Sequence, residues 1–133
     1  MRIAAVIPAW NEATRIGPVI RGVRSFADLV IVIDDGSEDK TADVAKKAGA
    51  ITLRHSLNRG QGAALRTGTE AALRLGADIV VHVDADGQHD PSMIQTLSDP
   101  IVRGEADVVF GSRFLGIDPS GMPWIRKQYF RFG

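Results

Sequence analysis

The sequence predicts a three-layer α/β/α sandwich built on a mostly parallel sheet. Short apolar runs rich in β-branched residues alternate with helix-like stretches, in the order β-α-β-α-β-α-β-α-β. The runs are apolar nearly throughout, which is typical of strands buried on both faces of a parallel sheet. With 133 residues, of which 44% are hydrophobic, the chain can form one domain with a substantial core.

Five segments have the composition of strands: 3–7, 29–33, 51–53, 79–83 and 108–110. Helices are predicted over 16–26, 41–48 and 63–75. Gly49 and Gly76 follow the last two, where a left-handed cap is expected. A fourth helix is predicted after Asp90, as an N-cap, with Pro91 at its first position.

The overall charge favours no polyanionic partner. Sixteen basic residues balance sixteen acidic ones, so we expect no nucleic-acid binding, and an anionic ligand must be held locally. The absence of cysteine excludes disulfides and thiolate metal sites. No apolar run reaches the roughly 18–20 residues of a membrane span, and there is no signal-peptide pattern, so we expect a cytoplasmic protein.

Each predicted strand is followed by a polar cluster. The carboxyl ends of parallel strands lie at one edge of a sheet, so we expect the clusters to converge on one crevice. The clusters are Pro8-Ala9-Trp10-Asn11-Glu12, Asp34-Asp35-Gly36-Ser37, Asn58-Arg59-Gly60-Gln61-Gly62, Asp84-Ala85-Asp86-Gly87-Gln88-His89 and Gly111-Ser112-Arg113.

Asp84 and Asp86 are the candidate metal ligands. The two-residue period of a strand places both carboxylates on one side, and hard oxygen ligands favour Mg²⁺ or Mn²⁺ completed by substrate phosphates. Gln88 can add a carbonyl oxygen. The alternative is that the two acids cap a turn before the next helix.

In the second cluster, one of Asp34 and Asp35 is expected to accept a hydrogen bond from a nucleobase or ribose, and the sequence does not distinguish them. Ser37 is predicted to be a helix cap. In the third cluster, Gly60 and Gly62 open a helix whose backbone N–H groups favour phosphate, although the loop matches neither a dinucleotide fingerprint nor a Walker loop and flexibility alone is an alternative.

Other candidates have two interpretations each. Arg113 can clamp phosphate or form a surface salt bridge. Trp10 can stack on a base or pack in the protein. His55 and His82 are predicted to be ordinary strand residues, and His89 to be structural or to support a metal ligand.

Taken together, the five clusters, in order and spacing over nearly the whole chain, resemble glycosyltransferase family 2. The Gln88-His89 pair and Gly111-Ser112-Arg113 are similar to the dolichyl-phosphate mannosyltransferase and polyprenyl-phosphate glycosyltransferase group. The resemblance implies a GT-A fold, a UDP- or GDP-sugar donor, Mg²⁺ or Mn²⁺, and inversion at the sugar carbon. The favoured acceptor is a polyprenyl phosphate. The alternative acceptor is a sugar hydroxyl, which requires a general base that can lie outside this sequence.

The resemblance also implies roles for individual residues. Asp84, Asp86 and Gln88 would form the metal group, Asp86 and Arg113 would act in catalysis, and Arg113 would face phosphate. The donor-binding residues would be Pro8, Ala9, Trp10, Glu12, Asp34, Asp35, Gly60, Gly62, Asp84 and Ala85.

Two features depart from the family pattern. Gln61 stands where the family usually has lysine, which removes a positive charge from the glycine loop. Members of the group also usually continue well past 133 residues, so we expect this chain to be part of a longer protein. Residues 1–114 would be the nucleotide-sugar-binding domain and 115–133 the start of an acceptor-side segment.

The basic and aromatic tail has two interpretations. It can contact the cytoplasmic face of a membrane and receive the lipid phosphate through Arg126, or it can be a core helix. Two other functions compete with transfer. One is a nucleotide-sugar-binding domain without transferase activity in a larger assembly. The other is a nucleotidyltransferase, which the absence of a Gly- and Arg-rich loop after the first strand disfavours.

Overall fold

The structure is a computed structural model that describes residues 1–111. Strands and helices alternate along the chain. They are β1 Ile3–Ala9, α1 Ile16–Val23, β2 Leu29–Asp34, α2 Thr41–Lys47, β3 Ile51–Arg54, α3 Gln61–Arg74, β4 Ile79–His82 and α4 Met93–Val102. The four strands form one parallel sheet in the order β3-β2-β1-β4.

The sheet is the middle layer of three. Alternate side chains of β1 point to opposite faces, as the two-residue period of a strand requires. Ala5 and Ile7 join the core formed with α1, α2 and α4, whereas Ala4 and Val6 join the core formed with α3. The predicted three-layer sandwich with a parallel sheet is confirmed.

The strand order creates a crevice at the β1–β4 junction. The chain steps outward from β1 to β3, and α3 then crosses the opposite face of the sheet to return the chain to the other side of β1. Ligands of such sheets bind beyond the carboxyl ends of the strands, where the strand order reverses. The helix that makes this return, α3, lies very close to the sheet. Its Gly68 leaves no room for a side chain, since a Cβ there would be 2.2 Å from Cγ1 of Val6.

The predicted strand over 108–110 is wrong. Val108 and Phe110 are 66% and 75% exposed, and none of the described strands pairs with this segment. An apolar run forms a strand only where a neighbouring strand can satisfy its backbone groups. In residues 1–111 the sheet has no ladder beyond β4, so the segment remains irregular.

The helices are confirmed with shifted bounds. Gly49 and Gly76 have φ of 93° and 81°, as the left-handed caps predicted for them require. The first helix ends at Val23 and not at residue 26. The fourth begins at Met93 with Ser92 as its N-cap, because Asp90 and Pro91 form the preceding turn, in which the Asp90 carboxylate accepts the Ser92 N–H.

No helix within residues 1–111 has both the length and the apolar composition needed to cross a membrane. The longest of them, α3, has 14 residues. The proposed division of the chain at residue 114 lies outside the described residues.

The contact between α3 and β1 gives a stability prediction. Gly68→Val would drive a side chain into buried Val6, and overpacking of this kind lowers the free energy of unfolding by about 1–3 kcal/mol. Gly62→Val is the control, since it lies in the same helix and a Cβ there meets no atom within 4 Å. Urea unfolding of both variants measures the difference, and an equal loss at the two positions would contradict the packing described.

Candidate functional site

The loop after β1 is fastened to the loop that joins β2 to α2. The Asn11 N–H donates to Oγ of Ser37 at 2.9 Å, and the Asn11 side-chain oxygen accepts the Glu38 N–H at 2.9 Å. The Glu12 N–H donates to the Thr41 hydroxyl at 2.9 Å. The prediction that Ser37 caps a helix is therefore wrong, because its hydroxyl holds the β1 loop and α2 begins only at Thr41.

The Asp35 carboxylate fastens the end of β2 to the loop before α3. Its Oδ1 accepts the Arg59 N–H at 2.9 Å and lies 2.8 Å from Nδ1 of His55, and its Oδ2 accepts the Gly60 N–H at 2.8 Å. Burial alone would raise the pKa of the Asp35 carboxyl. The hydrogen bonds from Arg59, His55 and Gly60 outweigh burial and hold that pKa below its ordinary value of 3.8.

Asp34 has a different role from its neighbour. Its side chain is fully buried, and Oδ1 accepts the Ser37 N–H at 2.9 Å. The Arg54 guanidinium Nε lies 3.8 Å from Oδ2, which is beyond hydrogen-bond distance. Of the two aspartates, Asp35 is the one that lines the crevice, whereas Asp34 does not, and a ligand contact by Asp34 stays a prediction.

The first cavity, of about 480 Å³, lies at the carboxyl ends of β1, β2 and β4 and at the start of α3. Most of the predicted donor and metal residues border it. It is lined by Pro8, Ala9, Trp10, Glu12, Asp35, Asn58, Gly60, Gln61, Ala64, Asp84, Ala85 and Asp86. Four of the five predicted clusters therefore meet here. Trp10 is 53% exposed, so it does not pack in the protein interior.

Some predictions and the structure differ at this cavity. Gly62 and Gln88 are exposed and lie outside its lining. Asn58, Gln61 and Ala64 line it and were not among the predicted binding residues. Ala64 lies one helical turn after Gly60, so the sequence could have predicted that it lines the cavity if the start of α3 had been known.

Asp84 and Asp86 lie in the turn that follows β4, which ends at His82. The strand-period argument for them is therefore wrong, although the turn brings both side chains to the same cavity. Asp84 Oδ2 lies 2.9 Å from Nε2 of His89, and Asp86 Oδ1 accepts the Gln88 N–H at 3.0 Å. His89 thus contacts one of the two acids, in keeping with a supporting role.

The two carboxylates fit a cation that a ligand completes. Within residues 1–111 no group of three or more His, Cys, Asp or Glu side chains could enclose a metal ion. Mg²⁺ is typically held by one or two carboxylates together with substrate phosphates, and Mn²⁺ favours similar oxygen ligands. Asp84 and Asp86 supply this partial set at the edge of a cavity large enough for a ligand.

Asp84 and Asp86 also border a second, mainly apolar cavity of about 450 Å³ between α1, β4 and α4. Glu12 lines the first cavity and Arg15 the second, and Arg15 Nε lies 2.6 Å from Oε2 of Glu12. This ion pair and the acid pair together separate the two cavities.

Three further predicted residues are Arg113, Arg126 and His55. Arg113 and Arg126 lie outside the described residues. His55 is not a strand residue as predicted, because β3 ends at Arg54 and the His55 ring is buried between Asp35 and Thr67.

Fold and crevice define an α/β protein with a cavity at the carboxyl edge of a parallel sheet. The family model described as Glycosyl transferase family 2 matches residues 4–132. The chain belongs to glycosyltransferase family 2, as its motifs predicted.

Two curated relatives carry informative names. The chain is 36% identical over 129 residues to the UDP-N-acetylglucosamine–dolichyl-phosphate N-acetylglucosaminyltransferase of Methanococcus voltae, covering 84% of this chain and 51% of that protein. It is 32% identical over 134 residues to the polyprenol monophosphomannose synthase of Mycolicibacterium smegmatis, covering 94% and 50%. The predicted similarity to the polyprenyl-phosphate group is confirmed, and the chain spans about half the length of the curated relatives it matches.

A solved structure extends the comparison to the fold. Glucosyl-3-phosphoglycerate synthase from Mycobacterium tuberculosis, in complex with Mn²⁺, UDP and glucosyl-3-phosphoglycerate, matches with a TM-score of 0.66 and 30% identity. The match covers 78% of this chain and 40% of that one. The predicted GT-A fold is confirmed.

The lowered pKa of Asp35 predicts a pH dependence of stability. A carboxyl whose pKa is lower in the folded state stabilises the protein above its unfolded-state pKa, and this contribution is lost as pH falls through the folded-state value. At pH 7 we expect Asp35→Asn to lower the free energy of unfolding by about 1.5–3 kcal/mol, the range for hydrogen bonds to charged groups.

Urea unfolding between pH 7 and pH 3 tests this. The difference between wild type and Asp35→Asn should be constant at neutral pH and begin to shrink below about pH 4, where the carboxyl of the unfolded chain starts to protonate while that of the folded protein, with its lowered pKa, is still ionised. A difference that is independent of pH, or absent at pH 7, would contradict the role assigned to this carboxylate.

Proposed function

We propose that this chain is the nucleotide-sugar-binding part of an inverting, metal-dependent family 2 glycosyltransferase. Its donor is a UDP- or GDP-sugar and its acceptor is a polyprenyl phosphate. The observation that carries the proposal is a single cavity whose wall holds both the candidate nucleotide contacts, Trp10 and Asp35, and the acid pair, Asp84 and Asp86. The names of the relatives support the acceptor class.

Asp35 has capacity left for the base or ribose of the donor. An ionised carboxylate offers about four acceptor sites, and the hydrogen bonds from His55, Arg59 and Gly60 use three of them. The remaining site can accept a donor N–H or O–H from the ligand. The exposed face of Trp10, on the same wall, offers an aromatic surface for the base.

The start of α3 is suited to the diphosphate. No side chain caps this helix within the described residues, so its first N–H groups and the positive end of its dipole can interact with an anion. A Cβ at Gly62 would meet no protein atom within 4 Å, so packing does not explain the glycine. Its lack of a side chain leaves the backbone open to approach.

The acid pair requires a cation for this ligand. Two carboxylates beside a diphosphate repel it, and Asp84 and Asp86 border the same cavity. We propose that they hold Mg²⁺ or Mn²⁺, with Gln88 as a further oxygen donor. When bound, the ion stabilises the departing nucleoside diphosphate as a Lewis acid.

The described carboxylates that line the first cavity leave little room for a general base. Glu12 is paired with Arg15, and Asp35 is held by two amides and a histidine. A phosphate monoester needs no base, since its second pKa of about 6 leaves it largely dianionic at neutral pH. A lipid phosphate acceptor is therefore compatible with the carboxylates of residues 1–111, and we propose that Arg113 and Arg126 contact it.

The proposal extends to the remaining chain. Residues 1–114 form the donor domain and 115–133 begin the acceptor side, at the cytoplasmic face of a membrane. Peripheral contact through the basic and aromatic tail would bring the chain to its lipid substrate.

Loss of either acid should remove the effect of the cation on donor binding. Without Mn²⁺, we expect wild type to bind UDP- or GDP-sugars weakly, and with Mn²⁺ more tightly. Asp84→Asn and Asp86→Asn should each weaken binding in Mn²⁺ by about ten- to hundredfold, since a contact to a charged group contributes about 1.5–3 kcal/mol. Isothermal titration calorimetry with and without MnCl₂ measures this.

Asp99→Asn is the control, because Asp99 is exposed on α4 and lines neither cavity. It should titrate like wild type. If Mn²⁺ strengthens binding equally in wild type and both variants, the acid pair does not hold the cation.

A binding domain without transferase activity is the second candidate. It rests on Gln61, which lines the cavity but brings no positive charge to the phosphates. Mn²⁺-dependent hydrolysis of the donor, abolished by Asp86→Asn, would support the transferase, whereas tight binding without hydrolysis would favour the second candidate.

A further inference from the structure

We propose that His55 is a positioning residue of the donor pocket, which acts by orienting the Asp35 carboxylate. The inference rests on the proposed function, because it takes the cavity bordered by Asp35 as the nucleotide pocket. His55 itself does not line that cavity, so it does not touch a ligand bound there.

The His55 ring bridges the sheet and α3. Its backbone N–H donates to the Asp34 carbonyl at 2.9 Å, which fixes the residue at the end of β3. The ring is buried, with Nδ1 2.8 Å from Oδ1 of Asp35 and Nε2 2.9 Å from Oγ1 of Thr67. The Thr67 hydroxyl also contacts the Ala63 carbonyl, at 3.0 Å, in the first turns of α3.

The direction of the key hydrogen bond follows from the chemistry of its acceptor. An ionised carboxylate only accepts, so Nδ1 carries the hydrogen and donates it to Asp35. The ring is thereby held at both nitrogens, one on the β2 loop and one on α3.

The fixed His55 ring restricts rotation of the Asp35 carboxylate. The terminal torsion of aspartate is broad, so the carboxylate can rotate unless its oxygens are held. Arg59 and Gly60 each need one of the two oxygens in place, and Gly60 lines the pocket. Without the His55 contact, we expect the 59–60 loop to become more mobile. We also expect the free acceptor site of Asp35 to lose its fixed orientation toward the pocket.

Two substitutions separate the contacts of the ring. In His55→Asn, the side-chain amide can occupy the place of Nδ1 and keep the bond to Asp35. In His55→Gln, the longer side chain carries its amide to the place of Nε2 and keeps the bond to Thr67. A role limited to filling the site would not favour the shorter side chain over the longer one.

The test measures UDP and GDP affinity in MnCl₂ by calorimetry, together with amide hydrogen exchange at Arg59 and Gly60. We expect His55→Asn to bind within about threefold of wild type, and His55→Gln to bind about tenfold or more weakly, because the hydrogen bond from the ligand to the Asp35 carboxylate is then weakened. Exchange at both amides should be faster in His55→Gln than in His55→Asn.

The outcomes distinguish this inference from the proposed function. If wild type binds neither nucleotide, the proposed function fails and this inference fails with it. If wild type binds and His55→Gln binds equally well, or loses no more than His55→Asn, only the positioning role is overturned. A His55→Gln variant that does not fold also overturns it, because the role of the ring is then structural.

Discussion

The buried carboxylate of Asp35 is the constraint on which the crevice depends. Burying a charged group is unfavourable unless hydrogen bonds replace its water, and Asp35 obtains them from the loop before α3 and from a buried histidine. Its neighbour Asp34 binds the Ser37 N–H, and Ser37 in turn holds the loop after β1. Two adjacent acids at the end of one strand therefore fix the loops of its neighbours on both sides.

The parallel sheet determines where the pocket lies, and the loops at the strand ends carry the side chains that line it. Because α3 returns the chain across the opposite face, β4 lies beside β1, and the turn after β4 carries Asp84 and Asp86 to the edge of the pocket. The close approach of loops requires small residues, and a Cβ at Gly36 would lie 2.6 Å from the backbone nitrogen of Asn58.

The sequence predicted the sheet, the four paired strands and the convergence of their polar ends, because hydrophobic patterning and the common direction of parallel strands determine these features. It could not assign 108–110, since an apolar run does not specify a pairing partner. Nor could it choose between Asp34 and Asp35, because adjacent residues point to opposite sides and the choice depends on where β2 ends. The role of His55 depends on contacts with residues 20 and 12 positions away, which local patterns do not encode.

The most direct measurement is a crystal structure of this chain with a UDP- or GDP-sugar and Mn²⁺. The base or ribose should hydrogen-bond Asp35 beside Trp10, and the metal should contact oxygens of both Asp84 and Asp86 at about 2.0–2.3 Å together with the diphosphate. A nucleotide bound away from this cavity, or a metal that touches neither aspartate, would contradict the central claim that the loops fastened by Asp35 form the donor site.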